Sequence, residues 1–255
     1  MRTSISFIVL FYNDAPTVGS VLQSLDDQLT SFECDYEIIV IDDCSTDDTW
    51  SEIDRMASEL SHVVRLRNKD NLGVGGSFYR AVHEAQYTLI GYTDGDNQYE
   101  PSDLHRYLSQ MEDCDVVTGC RRPRADGWKR VWASVHFNYL INAYFATGLR
   151  DINSALKLYR ADLLKQLPPW DAGAFYDAEI MIRLAQDHQA RIVELPIKHK
   201  LRRYGEATGL SQRNVFSILE NLLGSRMACY RRSGAWVVAL SLHVSLLRRI
   251  AKIVL

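Results

Sequence analysis

No Cys-x-x-Cys pair occurs in the 255 residues, and the five cysteines (Cys34, Cys44, Cys114, Cys120, Cys229) are odd in number. That pattern argues against a zinc or disulfide framework and is expected of free thiols in a reducing cytoplasm. Long apolar runs are missing as well. The opening "MRTSISFIVLFYNDAP" is too short in apolar residues for a secretory signal and reads as a strand entering a loop. Near the other end, "AWVVALSLHVSLLRRIAKIVL" has a charge-free run of 13 residues before Arg248, short of a membrane span. No Gly-Lys-Ser/Thr follows a glycine-rich turn, which excludes a Walker A loop. Gly73, Gly75 and Gly76 give G-x-G-G, which is not Rossmann spacing. Internal repeats and low-complexity tracts are absent, and no aromatic-basic motif points to nucleic acid.

What is present begins with charge. The net charge of −3 hides 11 Lys or Arg against 2 Asp or Glu from Lys198 onward, which leaves 18 basic and 30 acidic residues before it. A basic C-terminal piece on an acidic body points to an anionic surface or substrate at that end.

Strand and helix signals alternate through the first half. "SISFIVLFY", "YEIIVIDD", "VVRLRN", "YTLIGYTD" and "DVVTGCRR" read as strands. Helical patterns stand between them, among them "APTVGSVLQSLDDQL" and the glycine-rich start "NLGVGGSFYRAVHEA". This rhythm predicts an α/β fold, a doubly wound and mostly parallel sheet flanked by helices, with ligands beyond the C-terminal strand ends. After Arg121 come a basic loop, "RPRADGWKR", and a long apolar-aromatic helix, "VWASVHFNYLINAYFATG". A helix "FYDAEIMIRLAQDH" and a strand in "ARIVELPIKHK" follow. Boundaries are expected at 1–210 for the α/β domain, split near 120–121 into two halves. Residues 211–255 are expected to form basic amphipathic helices at a membrane interface, with Trp236, Val237, Leu240, Leu247 and Ile250 sinking in and arginines at headgroups.

"YTDGDNQYEP" packs oxygen ligands onto the end of the fourth strand. In an extended segment Asp94, Asp96 and Gln98 would point the same way, a set that suits Mg²⁺ or Mn²⁺ shared with substrate phosphates. Asp42 and Asp43 end the second strand in line with it, and the Gly73–Gly76 turn could approach an anionic ligand closely.

Eight segments in order carry a resemblance: "LFYNDAPTV", "EIIVIDDCSTDDTW", "NLGVGGSFYRAV", "TDGDNQYEPSDL", "VVTGCRR", "LRDINSALKLYRADLL", "FYDAEIMIRL" and "VELPIKHKLRRYGEATG". Over roughly residues 4–210 the chain resembles family 2 glycosyltransferases of the GT-A-type fold, most of all the dolichyl-phosphate mannose synthase and polyprenyl-phosphate glycosyltransferase branch. That resemblance implies transfer of a sugar, with inversion, from a GDP- or UDP-linked donor to a polyprenyl phosphate at the cytoplasmic face of a membrane. It implies donor contacts from Tyr12, Asn13, Asp14, Asp42, Asp43, Asn71, Gly73, Gly75, Asp94 and Gly95, with Asp94, Asp96 and Gln98 on the metal. Arg121, Arg130, Ser134, Arg202 and Arg203 are implied at the acceptor phosphate, and Asp151 at the site lining. Asp177 and Glu179 are the residues available if a general base is needed, as it would be for the alternative of a saccharide acceptor. A homo-oligomer is a further expectation. A binding protein on a decayed transferase fold is the non-enzymatic alternative.

Two departures from the branch's pattern stand out. Ala155-Leu156 replaces the usual Gly-Phe, and "RRYGEAT" keeps Arg202 and Gly205 but has Ala207 and Thr208 where Ser and Lys are usual.

Overall fold

In a computed structural model of the chain, residues 3–202 and Tyr204 are described. Arg203, Cys229 and the expected C-terminal amphipathic helices lie outside the described residues.

Strands β1 (Ser4–Phe11), β2 (Asp35–Asp42) and β4 (Leu89–Asp94) are buried almost throughout. Continuous Val, Ile, Leu and Phe runs form this kind of strand because both sheet faces are covered. β3 (Val63–Arg67), β5 (Val116–Arg121), β6 (Lys157–Arg160) and β7 (Ile192–Ile197) complete a seven-stranded sheet in the order β3-β2-β1-β4-β6-β5-β7. Both antiparallel pairings belong to β6, which is inserted between β4 and β5; the other pairings are parallel. The mostly parallel, helix-flanked sheet expected from the sequence is therefore what forms. β6 itself was not foreseen.

The helices are α1 (Ala15–Thr30), α2 (Thr49–Glu59), α3 (Gly73–Glu84), α4 (Leu104–Gln110), α5 (Trp128–Phe145), α6 (Ala161–Gln166) and α7 (Tyr176–Gln186). In α1 the buried Val18, Val21, Leu22, Leu25 and Leu29 recur at helical spacing, and Pro16 suits its first turn. α1 packs with α2, whereas α3, α6 and α7 pack with one another. Among the described residues no helix is long and apolar enough to cross a membrane. Cys34, Cys44, Cys114 and Cys120 are free thiols.

Register sets the site. Phe11 pairs with Asp42 and Leu10 with Asp94, so the second and fourth strands end level on either side of the first.

Candidate active site

The loops after these strands brace one another. Asn13 takes a left-handed backbone conformation (φ 53°); its N–H donates to Ser45 Oγ at 2.9 Å, and its Oδ1 accepts from the Thr46 N–H at 2.8 Å. The Asp14 N–H donates to Thr49 Oγ1 at 2.9 Å, while the Tyr12 ring is left exposed. Asp43 Oδ1 accepts from Asn68 Nδ2 at 2.7 Å and from the Leu72 N–H at 2.8 Å, and Asn71 Nδ2 donates to the Asp43 carbonyl. Asp43 thus ties the glycine-rich turn to β2.

Two donor-side expectations are corrected here. Asp42 is fully buried, with Oδ1 on the Ser45 N–H and Oδ2 3.1 Å from Arg67 Nε, so it does not line the cleft. The half-exposed Arg67 guanidinium, over the Trp50 ring at 5.3 Å, stands on the solvent side of that pair. Gly75 serves packing: its N–H donates to Ala172 O at 2.9 Å, and a Cβ there would lie 2.0 Å from Asp171 O. Gly73, at φ +74°, meets the same turn. Gly95 likewise admits no Cβ, because the Phe11 ring is 2.4 Å from where one would sit.

The fourth-strand segment is a turn, and the extended geometry expected of it does not form. β4 ends at Asp94, Gly95 and Asp96 turn, and Asn97 has φ 58°. Asp94 accepts the Tyr92 hydroxyl proton, and Tyr176 OH donates to Tyr92 OH at 2.9 Å. Gln98 turns away from the aspartates: its Nε2 donates to Lys200 O at 2.9 Å and its carbonyl accepts from the Lys200 N–H at 2.9 Å. Burial, together with the Asp94 charge, raises the Asp96 pKa to about 7, against the pull of Arg202. Burial also raises Asp14, with Asp94 contributing. Arg202 sits among these carboxylates, 3.1 Å from Asp14 Oδ1 and 3.8 Å from Asp96 Oδ2, and not with the arginines where the acceptor phosphate was expected. The reason is charge: three crowded carboxylates attract the nearest guanidinium.

Among the described residues no group of three or more His, Cys, Asp or Glu is arranged to hold a metal ion. The donor chemistry nevertheless fits a hard divalent cation. Asp94 and Asp96 repel each other in a desolvated place, and such ions are commonly held by one or two carboxylates, with waters and substrate phosphates completing the shell.

Beyond β5 lies an arginine cluster. Arg121 forms a two-pronged pair with Asp151, Nε to Oδ2 at 2.7 Å and the terminal nitrogen to Oδ1 at 2.6 Å, both side chains nearly buried. The carboxylate holds the Arg121 pKa up, and the guanidinium holds Asp151 below the usual carboxylate range although burial opposes it. Arg124 donates to Ser134 Oγ at 2.6 Å and to Asp126 Oδ2 at 2.7 Å, and Arg130 pairs with Asp126 Oδ1 at 3.0 Å. His199 accepts from the Ala125 N–H at 3.3 Å; burial and then the arginines Arg121 and Arg124 take its pKa down to about 4, against Asp126 and Asp151, so it is neutral near pH 7. Arg124, Asp126 and His199 were missed from the sequence. The signal for Arg124 and Asp126 was the "RPRADGWKR" loop, read only as polar and basic; His199 lies in "VELPIKHK", where nothing in the local pattern marks it.

Asp177 is buried and receives Lys157 Nζ at 2.6 Å; burial takes its pKa up to about 6 against that lysine. Glu179 is no base for the cleft: fully buried, it accepts from Arg183 and from the Asp171 N–H at 2.9 Å. The two clusters are linked through Tyr99, just past the Asp94–Gln98 turn, which pairs with His199 at a ring separation of 5.6 Å, while the His199 ring accepts from the Ala125 N–H of the arginine loop.

The family model for glycosyl transferase family 2 matches residues 6–168, the stretch that carries both clusters. The chain belongs to glycosyl transferase family 2. Among curated proteins this family 2 chain is 28% identical over 215 residues to dodecaprenyl-phosphate galacturonate synthase of Rhizobium johnstonii, covering 79% of this chain and 62% of that protein. It is 25% identical over 228 residues to undecaprenyl-phosphate 4-deoxy-4-formamido-L-arabinose transferase of Proteus mirabilis, covering 88% and 67%. The chain thus spans less than two thirds of the first relative's length, 62%, and 67% of the second's. Among solved structures, mannosyl-3-phosphoglycerate synthase from Rubrobacter xylanophilus superposes with TM-score 0.71 at 20% identity, covering 89% of this chain and 74% of that one. Glucosyl-3-phosphoglycerate synthase from Mycobacterium tuberculosis, in complex with Mn²⁺, UDP and glucosyl-3-phosphoglycerate, gives 0.66 at 20% identity, covering 87% and 80%. The family 2 chain shares their GT-A-type fold.

Proposed function

We propose that the chain transfers a sugar from a nucleoside diphosphate donor, GDP- or UDP-linked, to a polyprenyl phosphate, with inversion at the anomeric carbon. The observation that carries this reading is the pairing of a carboxylate cluster (Asp14, Asp94, Asp96) with an arginine cluster (Arg121, Arg124, Arg130), linked through the Tyr99–His199 contact. One suits a diphosphate with its cation, the other a phosphate acceptor. Both curated relatives are named for products or acceptors of the polyprenyl-phosphate type, which supports the same choice.

Mg²⁺ or Mn²⁺ on Asp94 and Asp96 would supply Lewis-acid stabilisation of the departing diphosphate. Tyr92 and Tyr176 hold Asp94 in place, and the braced 13–14 and 43–49 loops frame the donor. Arg130, half-exposed and tied through one carboxylate oxygen, offers its remaining N–H groups to the acceptor phosphate, with Arg124 behind it at Ser134. A phosphate monoester is largely ionised near neutral pH and attacks without a base. Its oxygen bonds to the anomeric carbon as the bond from that carbon to the diphosphate oxygen breaks, and no proton moves. Asp177, neutralised by Lys157, is consistent with a reaction that needs no base.

The test is a transfer assay with the full chain, Mn²⁺ or Mg²⁺, a panel of labelled UDP- and GDP-sugars, and undecaprenyl or dolichyl phosphate. Metal-dependent label in the organic phase is the expected result and names the donor. Label that stays aqueous while donor still binds with metal would sink the lipid acceptor and direct mutagenesis to Asp177.

A further inference from the structure

Helix α5 is apolar on two opposite faces, and only one of them is covered. Leu140, Ile141, Tyr144 and Phe145 pack into the core, and Asn138 is buried with them, its Oδ1 accepting from the Ile152 N–H at 2.9 Å. At 100° per residue, Trp128, Trp132, Val135 and Tyr139 fall within roughly 60° of one another on the opposite side. All four are exposed, Trp128 at 73% and Tyr139 at 65%. The stripe runs about 17 Å along the axis. Helices that are apolar all round are ordinarily buried all round, so this face calls for an occupant.

Charge chooses among occupants. α5 contains no Asp or Glu and carries Lys129 and Arg130. Lys129 on the helix and Arg150, which shares a cleft with Asn138, Tyr139 and Asn142, are exposed, and Lys129 Nζ lies 5.9 Å over the Trp128 ring. The acids nearest in sequence are already neutralised, Asp126 by Arg124 and Arg130, Asp151 by Arg121. The face is therefore aromatic with a cationic border. A second copy would bring the same positive border against it. The residues from Lys198 onward carry 11 basic and 2 acidic side chains and match it no better. An anionic bilayer supplies what both lack: headgroups for the cations and an interfacial layer in which Trp and Tyr are at home. The stripe begins two residues after Asp126, so a bilayer against it would lie beside the arginine cluster.

We propose that the Trp128–Trp132–Val135–Tyr139 face of α5 is a docking surface for an anionic lipid bilayer. It rests on the lipid-acceptor reading only for the reason a membrane should be near; the surface stands on its exposure and charge.

The full chain is mixed with phosphatidylcholine vesicles with and without phosphatidylglycerol, carrying brominated acyl chains that quench tryptophan on contact. Quenching is expected with the anionic vesicles and should fall in Trp128→Phe/Trp132→Phe, which removes the reporters and keeps the apolar face. Val135→Glu/Tyr139→Glu should weaken vesicle binding by roughly tenfold or more. Quenching unchanged by the Phe pair would place contact at another tryptophan and overturn the proposal, as would unchanged binding of the Glu pair. Trp128 and Trp132 already shielded from aqueous acrylamide without lipid, and unaffected by vesicles, would overturn it in favour of residues 205–255 or a second copy, which sedimentation velocity tells apart. Turnover on a water-soluble short-chain polyprenyl phosphate is measured alongside. The Glu pair should match the wild type there. Absence of any transfer by the wild type would strike the acceptor assignment while leaving the docking result to stand on the vesicles.

Discussion

Arg121 and Arg130 are both arginines of one cluster, yet their surroundings assign them different work. Arg121 is nearly buried and satisfies both oxygens of Asp151; Arg130 is 36% exposed and holds one oxygen of Asp126. Removing one partner of a buried pair leaves an uncompensated charge, so Arg121→Ala should lose about 3–5 kcal/mol of stability. Arg130 is partly exposed, and the buried Asp126 keeps Arg124 at 2.7 Å when Arg130 is removed, so Arg130→Ala should cost only about 0–1 kcal/mol. It should instead raise the acceptor KM far more than the donor KM. Urea denaturation beside steady-state kinetics on both variants checks the pair. Equal effects on the two substrates' KM values would remove Arg130 from the acceptor site. The sequence put both residues in one role because it shows residue types and order, whereas burial and the partner Asp151, thirty residues on, are properties of the fold. Gln98 and Arg202 were misplaced for a related reason: a positive φ at Asn97 redirects the chain, and no periodicity rule reports it.

β1, β2 and β4 were legible because strands buried on both faces are written as unbroken apolar runs. β6 was not, because it is four residues long, begins with a lysine, and pairs antiparallel where the surrounding rhythm predicts parallel strands. That lysine is what joins β6 to α7. Lys157 Nζ is wholly buried and donates to Asp177 and to the Ile152 carbonyl at 3.0 Å. Lys157→Met should be strongly destabilising, by about 3–5 kcal/mol, since it leaves Asp177 buried without its cation. The double variant Lys157→Met/Asp177→Asn should recover much of that loss. pH gives an independent sign. With a folded pKa of about 6 against an ordinary 3.8, Asp177 binds more protons folded than unfolded between those values. Its contribution to stability therefore declines as pH rises from about 4 to about 6. Asp177→Asn should remove that decline, and Lys157→Met should carry it to higher pH. Denaturation midpoints across pH 4 to 8 for the three variants decide the matter; a single variant no less stable than wild type would show that the pair does not hold β6 to α7.

At the scale of the whole molecule the sheet is a parallel part, β1 to β4, joined through the inserted β6 to β5 and β7; on the proposed function the first part serves the donor and the second the acceptor. The β1–β4 part ends in mutually repelling carboxylates, a local instability that binding should relieve. A ligand that binds only the folded state at about a hundred times its Kd adds about 2.7 kcal/mol, which for a chain of this size is roughly 5 to 10 °C in Tm. UDP or GDP with Mn²⁺ should produce such a shift, and the nucleotide without metal should produce little, because its diphosphate then faces Asp14, Asp94 and Asp96, with Arg202 as their counter-charge among the described residues. Asp96→Asn separates stability from binding. It removes a buried like charge, so the unliganded Tm should stay level or rise, while the metal-dependent shift disappears. Sites tuned for ligands commonly show this opposition. Thermal melts of wild type and Asp96→Asn, each with nucleotide, Mn²⁺, both or neither, test it directly. A full shift with nucleotide alone would remove the cation from the donor site. A lower unliganded Tm for Asp96→Asn would show that the Arg202 contact outweighs the repulsion from Asp94.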